Sequence, residues 1–206
     1  MTSKLFDPEE FEKNIFDQCE SESFRSCSNI IGEVPFFIAP YPVESTQDVA
    51  GAPKRLEVAL GKQGIETLTL SLYDLMIEGL QARGLLDQII SNESSVEESE
   101  LRELLNNVTD PNEHFLELVT EKIQAHKFEI LFVTDSGMLH PFFRLHTLLN
   151  NMQSVADGFP SIFFFPGNYV QTATGSHLTL FGCLPPENYY RAFNIIERTA
   201  REIRVT

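Results

Sequence analysis

Polar side chains of chemically useful types gather where the apolar runs of the C-terminal third stop. They are Thr134-Asp135-Ser136-Gly137, then His140, Arg144, Thr147 and Asn151, and finally Tyr189, Tyr190 and Arg191. A carboxylate at a strand end can hold a metal ion, and an arginine fork suits a carboxylate, a phosphate or a partner's carbonyl. A serine nucleophile on a strand-to-helix elbow needs glycine at two fixed flanking positions, with an acid and a histidine later. Here Gly137 alone follows Ser136, in the wrong register. Asp135 and Ser136 read as well as residues that turn the chain and cap the next helix. Arg144, Thr147 and Asn151 recur at i, i+3 and i+7, with His140 just ahead of them. They either line a polar groove above a sheet or form a solvated helix face. Tyr189, Tyr190 and Arg191 are interface-type residues that can equally pack their helix onto the sheet.

Other chemistries lack their residues. A phosphate loop needs glycine-rich backbone donors and a lysine after a strand. The turn after the first apolar run is Pro40-Tyr41-Pro42-Val43-Glu44-Ser45, with two prolines, a glutamate and no lysine. No G-x-G-x-x-G is present, so a dinucleotide site has no fingerprint. His140 and His146 are six apart, and His114 and His126 twelve apart, which is not metal-ligand spacing. Cys19, Cys27 and Cys183 are odd in number and widely spaced, which argues against both a zinc site and a disulfide framework. No metal and no cofactor are expected.

Five elements position the polar groups. Val34–Ala39, Thr67–Leu72, Glu129–Thr134, Ser161–Phe165 and Leu178–Phe181 are expected strands, most of them continuously apolar, as strands covered on both faces are. Between them the periodicity and caps predict helices: one opened by Asp7-Pro8, then Ala52–Gln63, Tyr73–Ala82, Asn112–Lys127, a helix starting at Pro141, and a last one from Glu187 to Arg204. Residues 21–31 read as a loop, and Pro166-Gly167-Asn168-Tyr169 as the turn that ends the fourth strand. Strands alternating with helices give an α/β fold in three layers, a mostly parallel five-stranded sheet with helices on both faces. Only about 12 residues join the fourth and fifth strands, too short for a helical crossover, so the fifth strand is expected antiparallel. The whole of 1–206 reads as one domain, with an N-terminal helix and loop over 1–32 and an acidic insertion over 91–110 that is either a mobile segment or an exposed helix.

Bulk properties narrow the partners. A formal net charge of −15 repels phosphate backbones, so direct nucleic-acid binding is not expected. Arg191, Arg198, Arg201 and Arg204 make the C-terminus the one basic stretch, at helical spacing. There is neither a signal-peptide core nor a run of about 20 apolar residues for a membrane span. With the cysteine usage, this leads to the expectation of a cytoplasmic protein.

Several segments together resemble the BrxB family. They are Glu33-Val34-Pro35-Phe36-Phe37-Ile38, Leu72-Tyr73-Asp74-Leu75, His140-Pro141-Phe142-Phe143-Arg144-Leu145-His146-Thr147-Leu148-Leu149-Asn150-Asn151, Phe165-Pro166-Gly167-Asn168-Tyr169, Leu180-Phe181-Gly182 and Asn188-Tyr189-Tyr190-Arg191-Ala192-Phe193. The resemblance implies a small component of BREX phage-exclusion systems, which combine a DNA methyltransferase, an ATPase and the phosphatase-like protein PglZ. It carries no catalytic residues over. It implies a P-loop-like or Rossmann-like scaffold without a nucleotide motif, acting as a non-enzymatic interaction subunit whose expected partner is PglZ or another BREX protein. The alternative is a degenerate nucleotide- or metal-binding sensor or enzyme using Asp135, His140 and Arg144. A homodimer through the C-terminal helix is a third arrangement.

Overall fold

The computed structural model describes residues 6–28, 34–92, 97, 114–141, 145–172, 175–185 and 192–196. Helix α1 (Pro8–Glu20) opens as its sequence requires, with the Asp7 carboxylate accepting from the backbone N–H of Glu9 and Glu10 and Pro8 at its first position. A one-turn helix α2 (Glu22–Arg25) follows inside the segment expected to be a loop. Its Arg25 reaches the carbonyl oxygens of Cys19 and Glu20 and the Glu129 carboxylate, which ties the turn down.

Strand β1 (Phe36–Tyr41) leads through the short α3 (Thr46–Val49) into α4 (Ala52–Gly61), then β2 (Thr67–Ser71), α5 (Leu72–Ala82) and α6 (Leu86–Asn92). After the acidic insertion, most of which lies outside the described residues, come α7 (His114–Ala125), β3 (Ile130–Thr134) and α8 (Leu145–Met152). β4 (Ser161–Thr172), β5 (Gly175–Leu180) and β6 (Phe193–Asn194) complete the order. The sheet runs β2-β3-β4-β1-β6, with β5 paired to β4 off this path. Among the described residues all pairings are parallel except β4 with β5.

Because neighbouring strand residues point to opposite faces, the apolar runs feed two cores. Phe36, Ile38, Leu131, Val133, Phe163 and Phe165 face α5, α7 and α8. Phe37, Ala39, Ile130, Phe132, Ile162 and Phe164 face α1 to α4. This is the expected three-layer α/β architecture, and the short join between the fourth and fifth strands does make an antiparallel pair.

Three expectations are corrected. The fourth strand does not end at Pro166-Gly167-Asn168-Tyr169 but runs on to Thr172. Gly167, at φ +155, lets it leave the parallel sheet and pair with β5, while the Phe181 N–H donates to the Pro166 carbonyl. The sheet gains a sixth strand inside the stretch expected as the last helix: Phe193 and Asn194 pair in parallel with Phe37 and Ile38, with Ile195 and Ile196 helical after them, while 187–191 and 197–204 lie outside the described residues. Pro141 itself is a turn residue, after a 3-10 turn (Ser136–Leu139) and a cis His140–Pro141 bond; 142–144 lie outside the described residues, and α8 is described over Leu145–Met152.

Candidate functional site

The strand C-termini border a cleft of about 320 Å³ on the α1–α4 face. Ligands of open α/β sheets bind at this edge. Val49, Ala50, Pro53 and Phe164 give it apolar walls. Tyr41, Thr46, Thr69 and Thr134 bring hydroxyls, and Lys54, Glu57 and Asp135 bring charge. The hydroxyls come from strand periodicity. On β2, Thr67, Thr69 and Ser71 alternate with Leu68 and Leu70, and the register places Thr69 beside Phe132 and Ser71 beside Thr134. One half of this sheet face is therefore phenylalanine and isoleucine, the other half hydroxyl-bearing.

Asp135 follows β3 in the left-handed region, φ +60, which aspartate tolerates better than most residues. Its carboxylate makes no cap bond to the following turn; it accepts from the Thr134 hydroxyl at 2.8 Å. Ser136 turns inward and donates to the Phe164 carbonyl at 3.2 Å. That serine is buried and pins the turn to β4, so it is not presented as a nucleophile. Tyr41 is 9% exposed, packed edge-on to Phe11 at 6.2 Å. Burial first, and the Asp135 charge second, push its phenol up to about 12, against a smaller opposite effect of the hydrogen bond with Thr46. At neutral pH it is a hydrogen-bonding group and not a base. Lys54 and Glu57 pair across one helical turn at 2.8 Å, largely in solvent, where such a pair contributes little.

Of the other sequence candidates, His140 stands exposed away from the cleft, with its ring edge-on to Phe181 at 6.2 Å. Thr147 and Asn151 are half-buried on α8, in the opposite layer from the cleft. Arg144, Tyr189, Tyr190 and Arg191 lie outside the described residues. The structure therefore puts Asp135 at the cleft and does not bring His140, Thr147 or Asn151 to it. Sequence reasoning missed Tyr41, Thr46 and Thr69. The T-L-T-L-S alternation of β2 was a visible signal for the last of these, since it predicts one hydroxyl-bearing face.

Among the described residues no three His, Cys, Asp or Glu side chains converge in a way that can hold a metal ion. Burial pushes the Cys19 thiol far up, with Arg25 a lesser opposing influence, so it is inert as a nucleophile. No described helix is long and apolar enough to cross a membrane.

The model of the BrxB family, described as BREX protein BrxB, matches residues 68–195. The chain belongs to the BrxB family. The match spans β2 through β6, including Asp135 and the β4–β5 hairpin. This BrxB-family chain is 29% identical over 192 residues to a BREX protein BrxB of Bacillus cereus (strain H3081.97), covering 89% of this chain and 95% of the relative. It is 26% identical over 167 residues to a BREX protein BrxB of Escherichia coli O9:H4 (strain HS), covering 81% and 80%. The chain is thus a BREX component of the phage-defence type. No solved structure matches it significantly.

Proposed function

We propose that this chain is a non-enzymatic interaction subunit of a BREX system and that it binds PglZ. Family membership supports the system. The observation that carries the interaction reading is how the strand-end groups are used. Ser136 is held by a backbone carbonyl, Thr134 by Asp135, and Tyr41 is kept protonated. These are recognition groups, with no nucleophile paired to a base among them. The charge of −15 favours a protein partner with a basic surface over nucleic acid. Co-purification with tagged PglZ followed by size-exclusion chromatography tests the reading. A co-eluting complex weakened by Arg144→Ala or Arg191→Ala is the expected outcome; elution of the wild-type chain alone overturns it.

A second reading is a degenerate sensor for a nucleotide or divalent metal, with Asp135 at the strand end as the contact. It predicts a higher melting temperature with ATP or Mg²⁺, as for any native-state ligand. No shift at millimolar ligand removes it.

A further inference from the structure

The cleft has a chemical polarity of its own. Among the described residues no Lys or Arg pairs with Asp135. Among the described residues the hydrogen bond it receives comes from Thr134, which leaves most of its acceptor capacity open to them. The Tyr41 oxygen lies close enough to feel that carboxylate, and it too can accept. Thr69, in the wall, has a solvent-shielded hydroxyl without a hydrogen-bond partner. Rotation about its Cα–Cβ bond to another staggered well swaps hydroxyl and methyl. A carboxylate with no cationic partner among the described residues, sharing its cleft with two acceptor-capable oxygens, calls for a donor-rich cation. A phosphate entering here meets two carboxylates, Asp135 and Glu57, against the one lysine of the lining, Lys54. The apolar wall matches the alkyl stem of a long basic side chain, whose charged head and greasy stem want different surroundings.

We propose that this cleft is the socket for one basic side chain, lysine or arginine, projected by the partner protein. Asp135 supplies the counter-charge and Val49, Pro53 and Phe164 receive the stem. The proposal rests on the interaction reading above and names the point of contact. Charge complementarity supports this occupant, because a surface of net −15 draws a basic partner face toward it.

Two arms test it. In the first, the full chain is titrated with acetyl-Gly-Arg-Gly-amide, acetyl-Gly-Lys-Gly-amide and the uncharged citrulline analogue of the former. The melting temperature is read together with tyrosine emission, since the chain has 5 Tyr and no Trp. The expected result is a response to a charged peptide, none to citrulline, and loss of the response in Asp135→Asn. Asparagine keeps the left-handed backbone and an oxygen for Thr134, so the variant folds. Equal response to citrulline, or an undiminished response in Asp135→Asn, overturns the socket. So does an Asp135-dependent response to Mg²⁺ without one to the peptides.

In the second arm, tagged PglZ captures wild-type and Asp135→Asn chains. Asp135→Asn is expected to bind roughly tenfold more weakly or worse, as for a truncated interfacial charge pair. Undiminished capture of Asp135→Asn overturns the socket and leaves the interaction reading standing. Failure to capture the wild-type chain overturns the interaction reading, and the peptide arm then decides the socket.

Discussion

At the strand C-termini one face of the sheet is sealed and the other is open. On the sealed face β4 continues past the sheet, folds back as β5 and drives Leu178 into the core, with Tyr169 and Leu180 packed against it. The Tyr169 hydroxyl donates to the Ala192 carbonyl at 2.9 Å, which ties this ribbon to the approach to β6. Gly137 sits so close beneath that a Cβ there would lie 2.7 Å from Pro166 and 3.0 Å from Phe181. On the open face the chain leaves β1 through Pro42 into the four-residue α3, and β2 contributes hydroxyls in place of large apolar groups. A strand end is closed when its own chain doubles back over it. It stays open when the next element is too short and its neighbours too small to fill the space.

The largest way to break this contrast is Gly167→Ala. Its Cβ would meet the Thr179 carbonyl at 2.2 Å and Phe165 at 2.8 Å, on a backbone at φ +155. A loss of roughly 3 kcal/mol or more is expected in urea denaturation. Wild-type stability for this variant would show that the ribbon does not lock the sealed face.

Next in size is the alkaline behaviour of Tyr41, which reports on the open face. Its folded phenol is raised to about 12 from an ordinary value of 10.0, so its contribution is fully present below about pH 10 and is lost as pH rises toward 12. Roughly 2 kcal/mol should disappear across that window. The Cys19 thiol, raised by burial, also titrates in this direction, so the comparison is wild type against Tyr41→Phe. The difference in 295 nm absorbance between the two should have its midpoint near 12; a midpoint near 10 would mean that the phenol is solvated and the cleft wall is not as described.

Smaller effects sharpen the picture. Ser136→Ala removes a buried hydroxyl bonded to the Phe164 carbonyl and should cost about 1 kcal/mol by chemical denaturation, with no larger effect because the strand ladder remains. Thr69→Val replaces an unpartnered buried hydroxyl with a methyl of nearly the same shape. It should stabilise the chain by about 0.5–1 kcal/mol, a rise in melting temperature readable by calorimetry. Destabilisation instead would mean that Thr69 already has a partner.

Much of this architecture was legible beforehand. Pro8 behind Asp7 and the continuous runs F-F-I-A and I-L-F-V-T mark elements because each signal acts through its own few residues. The exceptions share a cause. β6 exists because Phe37 and Ile38 offer Phe193 and Asn194 a free parallel edge, far away in sequence. β4 runs through a Pro-Gly pair because β1 on one side and β5 on the other supply partners for it. At the site, Asp135 was visible as a carboxylate at a strand end, but nothing local joins it to Tyr41, 94 positions earlier, or to Thr69.

Residue order alone was therefore enough to establish a parallel α/β chain, an antiparallel fifth strand, an acidic surface and membership in a BREX family. Those properties follow from periodicity, chain-length limits on connections, summed charge and linear motifs, all of which are local or additive. Which strand end would be sealed, and which would bring a carboxylate and a neutral phenol into the lining of one open cleft, was decided by tertiary packing. Pairing of distant strands and the fit of short helices over them depend on groups that meet only in the folded chain.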